Sequence, residues 1–166
     1  MLRPIDGLGE QIGQFEKRLG ELVKFTPEMQ RLMSLPGVGV ILAASIALEV
    51  GDIERFPSAE RLAAYAGMTP RVHASGGRLR HGSRRPDVNR YLKWAFAEAG
   101  NSVAVDHERR PDRHVSQLYQ RLRERRGHSK AVGAVARHLA EATFFVLSRK
   151  EDSQAPTAQA GRTREV

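Results

Sequence analysis

Leu35-Pro36-Gly37-Val38-Gly39, running into Val40-Ile41-Leu42-Ala43-Ala44-Ser45-Ile46-Ala47-Leu48-Glu49-Val50, is the stretch that decides the fold. A Pro/Gly turn opens onto an apolar, Ala-rich segment of helical length. Upstream, Thr26-Pro27-Glu28 reads as an N-cap followed by proline at the first helical position. A short helix then runs to about Ser34. Helix, Gly-x-Gly turn, helix is the pattern of a helix-hairpin-helix. Gly37 and Gly39 allow close approach of the backbone, and the following helix presents free N–H groups and a positive dipole end. That chemistry suits a phosphate and is indifferent to base sequence. The same five residues also serve as a tight corner between two helices with no ligand, and both readings stand.

Outward from this turn the pattern stays helical. Leu8, Ile12, Phe15, Leu19 and Leu22 repeat at steps of four and three, the seam of a coiled coil or of a docked amphipathic helix. About two to three heptads are too few to be stable alone, so the seam needs a partner surface. Ser58 caps a helix over 59–66 that buries Leu62, Ala63 and Tyr65 and stops at Gly67. From Asp87 the helical period returns and lasts to about Val105. Val88, Leu92, Ala95, Phe96 and Ala99 form its inner face, and Trp94 is read as core, with a lid over the core as the alternative. A helix from about Asp112 to Arg125 turns Val115, Leu118, Tyr119 and Leu122 inward and arginine outward. The last helix, from Lys130 to about Arg149, points Val132, Val135, Leu139, Ala142, Phe145 and Val146 at the core. The fold class is mainly α, with about seven helices. Residues 1–25 are a coiled-coil-like helix, 26–150 a helical domain, and 151–166, poor in apolar residues, a disordered tail.

The irregular part lies between Met68 and Pro86. Gly76-Gly77 is a hairpin turn signal. Arg71, Arg78, Arg80, Arg84, Arg85, Arg90 and Lys93 are opposed only by Asp87 in this stretch. Clustered arginines bind phosphate oxygens through paired donors. The overall balance agrees: Lys+Arg 27 against Asp+Glu 19 gives a net charge of +8, which favours a polyanionic partner. Ser75, followed by Gly76 and Gly77, has two readings. It is a turn residue, or it is a nucleophile toward a phosphodiester inside a strongly positive surround, with His73 or His81 as base.

Other chemistry is poorly supported. The chain has no cysteine, which excludes disulfides and thiolate metal sites. Asp52, Glu54, Asp87, Glu98, Asp106 and Glu108 are scattered, and no His-x-x-x-His occurs. His107, His114, His128 and His138 fall on separate elements and read as surface or packing residues. No apolar run approaches the ~20 residues of a membrane span, and no signal peptide is evident, so the expected location is cytoplasmic with no membrane contact.

The run from Arg31 to Gly82 (RLMSLPGVGVILAASIALEVGDIERFPSAERLAAYAGMTPRVHASGGRLRHG), with NRYLKWAFAEAG at 89–100 and GHSKAVGAVARHLAEATFFVL at 127–147, resembles the C-terminal transposase domain of the IS110/IS116 insertion-sequence family. The resemblance covers about residues 7–149. It implies a DNA recombinase guided by a structured RNA, with Ser75 as nucleophile and Arg71, Arg78, Arg80, Arg84 and Arg85 around the reacting phosphate. Gly37, Gly39, Gly76, Gly77, Arg90 and Lys93 complete the nucleic-acid contacts read from the residues. It further implies a RuvC-like domain whose acidic residues hold a divalent metal such as magnesium, and a coiled coil, here residues 7–25, that dimerises. These 166 residues carry no RuvC-like segment, so no cofactor is expected on this chain, and activity requires that domain from elsewhere. The alternatives are a non-catalytic remnant that only binds nucleic acid, and an oligomerisation fragment with an incidental basic surface.

Overall fold

The computed structural model describes residues 3–22, 26–69, 71–75, 78–82 and 88–153. Among them the chain forms seven α-helices and one two-stranded hairpin: α1 (Arg3–Leu22), α2 (Pro27–Met33), α3 (Val40–Val50), α4 (Ala59–Tyr65), β1 (Arg71–Ser75), β2 (Arg78–Gly82), α5 (Arg90–Asp106), α6 (His114–Arg126) and α7 (His128–Arg149). A single 3-10 turn, Ile53–Arg55, links α3 to α4. The mainly α expectation holds. The hairpin signalled within the irregular segment is present as β1 and β2. Most of the tail expected to be disordered lies outside the described residues; at its start, Ser153 N–H donates to Ser34 Oγ at 2.7 Å.

Local rules account for the helix ends. Thr26 caps α2 by accepting from Met29 N–H, with Pro27 at the first position. Asp52 caps the 3-10 turn through Glu54 N–H at 2.9 Å. Gly127, at φ 81°, separates α6 from α7.

The core forms where α5 and α7 cross and α3, α4 and α6 close over them. Leu32, Ile46, Leu62, Leu92, Phe96, Val135 and Leu139 are fully enclosed. Burying one such side chain contributes about 1.5–3 kcal/mol. Helix α7 is long and apolar enough to cross a membrane by those two measures, a run that the sequence expectation of none overlooked. Half of its apolar window is buried against the other helices, as in the central helix of a helical bundle. One inward assignment on α7 needs correction. Phe145 is 45% exposed, and Thr143, a polar residue, takes a core position instead. Its hydroxyl survives burial by donating to the Leu139 carbonyl at 2.9 Å.

The turn that opened the sequence reading is a packing device. Gly37 has φ 78°, and a Cβ there would collide with the carbonyl oxygen of Ala99 on α5. Glycine is required on both counts. Gly39 differs: it is the N-cap of α3, and a Cβ there meets open space. Gly37→Ala should therefore destabilise the fold by about 3 kcal/mol, whereas Gly39→Ala should cost about 1 kcal/mol or less. Urea unfolding of the two variants checks this; equal midpoints would contradict it.

The histidines, assigned singly from sequence, meet in pairs. The His107 ring lies edge-on to Tyr119, with centroids 4.8 Å apart. The Tyr119 hydroxyl is 2.8 Å from His128 Nδ1. His114 and His138 approach to 5.2 Å between centroids, joining α6 to α7. Burial holds His138 below the ordinary imidazole range; His114 adds repulsion, and Glu141 opposes both. The unfolded chain then takes up the proton first. Stability is complete above about pH 6.5 and falls as pH drops from there to the folded-state value. His138→Gln should flatten the decrease in Tm between pH 7.5 and pH 5.5. An unchanged decrease would remove His138 from the account.

Candidate nucleic-acid interface

The hairpin carrying Ser75 is antiparallel, with Arg71 opposite Gly82, Val72 opposite His81, His73 opposite Arg80, Ala74 opposite Leu79 and Ser75 opposite Arg78. Positions along a strand alternate between faces. Positions 71, 73, 75, 78 and 80 therefore share one face of the ribbon, and 72, 74, 79 and 81 the other. The two histidines considered as bases fall on opposite faces, His73 with Ser75 and His81 away from it. Gly76, Gly77, Arg84 and Arg85 lie outside the described residues.

The segment that contains this hairpin rejoins the helical body at Asn89. The chain leaves α4 after Tyr65 and returns at Asn89, whose N–H donates to the Tyr65 carbonyl at 2.9 Å. The Asn89 side chain does three things at once. Its Oδ1 accepts from Leu92 N–H at 2.9 Å, capping α5. Its Nδ2 donates to Glu49 Oε2 at 2.6 Å, tying α5 to the end of α3, and also lies 3.4 Å from the Tyr65 hydroxyl. Arg55 reinforces the cluster: its guanidinium donates to the Glu49 carbonyl at 2.9 Å and lies over the rings of Phe56 and Tyr65. Hydrogen bonds from Asn89 and Arg55 hold the Tyr65 phenol below its usual range. Beside the cluster, Gly67 at φ 69° packs its bare Cα against Val88. Asn89 was missed in the sequence reading, although Asn three residues before Leu92 is an N-cap signal.

The other candidate residues divide. Gly37 is engaged with α5, so its identity is explained without a ligand. Gly39 is exposed at the start of α3. Arg90 is exposed and Lys93 half-buried on the first turns of α5, next in the chain after the hairpin and its return to the body. Trp94, read as core, is 47% exposed, and its neighbour Tyr91 is 67% exposed. Arg121, Arg123, Arg125 and Arg126 are exposed on α6. Among the described residues no group of three His, Asp or Glu side chains could hold a metal ion. A cavity of about 640 Å³ is walled by Met29, Ala44, Ala47, Leu48, Ile53 and Leu147 and contains none of the candidate residues.

A basic, mainly α-helical domain with an arginine-bearing hairpin between its fourth and fifth helices is the class of protein on view. The chain belongs to the Transposase IS116/IS110/IS902 family, whose sequence profile matches residues 29–117. It is 33% identical over 144 residues to the transposase for insertion sequence element IS1111A of Coxiella burnetii, covering 86% of this chain and 39% of that protein. It is 36% identical over 141 residues to an IS110 insertion-element protein of 43.6 kDa from Streptomyces coelicolor, covering 83% of this chain and 33% of the relative. A pilin gene-inverting protein of Moraxella bovis shares 35% identity over 71 residues, 40% of this chain and 22% of that one. The chain thus spans well under half the length of these relatives.

Asn89→Ala removes the cap and leaves the Glu49 carboxylate without its donor. The expected cost is about 2 kcal/mol, whereas Asn89→Asp keeps the cap and sets two carboxylates together. Thermal melts should rank wild type above both variants; a melting point for Asn89→Ala equal to wild type would contradict the clasp.

Proposed function

We propose that the chain is the DNA-reacting part of an insertion-sequence transposase and that Ser75 is its nucleophile. The observation that carries this is the hairpin register, which sets Ser75 opposite Arg78 and on the same face as Arg71, His73 and Arg80. In the proposed step, the Ser75 Oγ–H bond breaks, His73 takes the proton, and Oγ forms a bond to phosphorus. The bond from phosphorus to the leaving deoxyribose oxygen breaks, and that oxygen acquires a proton. Negative charge builds on the non-bridging oxygens, where arginine donors stabilise it. The phosphoseryl ester conserves the bond energy, so a second strand's hydroxyl can reverse the attack and rejoin. Arg84, Arg85, Arg90, Lys93, Gly76, Gly77 and the Gly39 N–H position the backbone by contacts without base specificity. A divalent metal such as magnesium belongs, on this reading, to a separate acidic domain. The described residues of this chain form no group suited to it, and no step here is routed through it.

Two partners follow from the same reading. The exposed Leu8, Ile12 and Phe15 of α1 favour pairing with a second copy or with a longer transposase chain. A structured guide RNA would share the basic surface. The exposed arginines of α6 favour a second reading, nucleic-acid binding that does not depend on Ser75.

Incubation with element-end DNA and a longer relative carrying its own serine substitution should give a covalent protein–DNA adduct that Ser75→Ala abolishes. An adduct that persists in Ser75→Ala, or none in its presence or absence, contradicts the nucleophile assignment. Binding should weaken steeply with salt, and Arg78→Ala with Arg80→Ala should reduce the salt slope by about two. Salt-independent affinity contradicts both readings.

A further inference from the structure

The exposed aromatic pair on α5 has no part in the proposed phosphoryl chemistry. Tyr91 and Trp94 stand three residues apart, so they are neighbours on one helix face. Tyr91 is 67% and Trp94 47% exposed. Neither ring engages in an aromatic or cation–π contact among the described residues, in contrast to Phe56, Tyr65, Tyr119, Phe144 and Phe145. Leaving two large rings in water forgoes the burial that the core gives Phe96 on the same helix. The first turn of α5 contains no acid. Arg90 immediately precedes Tyr91, and Lys93 lies between the two rings in sequence.

Flat rings flanked by cations match what unpaired nucleobases require. Bases stack on exposed aromatic faces, and the phosphates between them are neutralised by Arg and Lys. A paired duplex offers only its backbone and groove edges to such a surface. Strand exchange, if it proceeds at Ser75, needs the duplex opened beside the reacting phosphate. We propose that Tyr91 and Trp94 form a stacking platform for unpaired DNA bases, with Arg90 and Lys93 on the adjoining phosphates. The inference rests on the proposed DNA-binding role.

Trp94 is the only tryptophan in the chain, so its emission reports on this surface alone. Titration of the 166-residue protein with oligo-dT should quench Trp94 emission, and a duplex of the same length should quench it far less. Tyr91→Ala should weaken oligo-dT binding about tenfold, and Tyr91→Phe should restore it. Trp94→Leu, which keeps an apolar side chain on the buried side, should weaken binding of a labelled oligo-dT, followed by anisotropy, by a similar factor. Circular dichroism of each variant should match wild type.

Salt-sensitive duplex binding, with no quenching by oligo-dT and no effect of Tyr91→Ala or Trp94→Leu, overturns the platform and leaves the DNA-binding role intact. Quenching by oligo-rU at tenfold lower concentration than oligo-dT overturns the assignment to DNA. Failure to bind any nucleic acid overturns the platform and the proposed function together. Quenching with the Tyr91 dependence intact, in a protein that forms no Ser75 adduct, supports the platform and removes the nucleophile.

Discussion

Asn89 is the residue on which the arrangement depends. One side chain and one backbone N–H close the excursion from α4 through the hairpin, start α5, and fix α5 to the end of α3. A two-stranded hairpin is at best marginally stable by itself in water. Its usefulness as a presenting element then depends on how firmly its base is held. Here the two ends of the segment that contains it, at Tyr65–Gly67 and Val88–Asn89, are held by hydrogen bonds to α3 and α4, by the Gly67–Val88 contact, and by the Arg55 guanidinium over Tyr65. The helices behind it, α5 and α7 above all, supply the apolar burial that makes those polar contacts affordable.

The same logic explains Gly37. Gly37 lets the turn before α3 press against the α5 backbone at Ala99, just past the middle of that helix. Helix α5 is therefore gripped at its start by a hydrogen-bonded cap and near its middle by a glycine contact. The position of its exposed face, with Arg90, Tyr91 and Trp94, is set by that double constraint rather than by the residues of the face themselves.

Much of the fold was legible in the residues. Steps of three and four placed the helices, Thr26-Pro27 and Ser58 marked starts, and Gly76-Gly77 marked the hairpin. The misassignments have physical causes. Trp94 was placed in the core because it is apolar, yet it sits about 200° around the helix from Leu92, off the face that Ala95, Phe96 and Ala99 define. Phe145 fails in the same way, while Thr143 is tolerated inside because its hydroxyl bonds back to its own helix. The role of Gly37 was ambiguous because close approach to a phosphate and close approach to a helix demand the same residue. The Glu49–Asn89 bond and the His114–His138 pair join distant parts of the chain, and no local pattern encodes them. For the site, the basic cluster was visible by counting, but the separation of His73 from His81 needed the strand register.

The central claim is that this hairpin, and Ser75 within it, makes the bond to DNA. Peptide mapping by mass spectrometry of the purified protein–DNA adduct tests it most directly. The account predicts one modified tryptic peptide, spanning Val72 to Arg78, with the phosphodeoxynucleotide on Ser75. Attachment to any other residue, including Tyr91 or Tyr65, would contradict it.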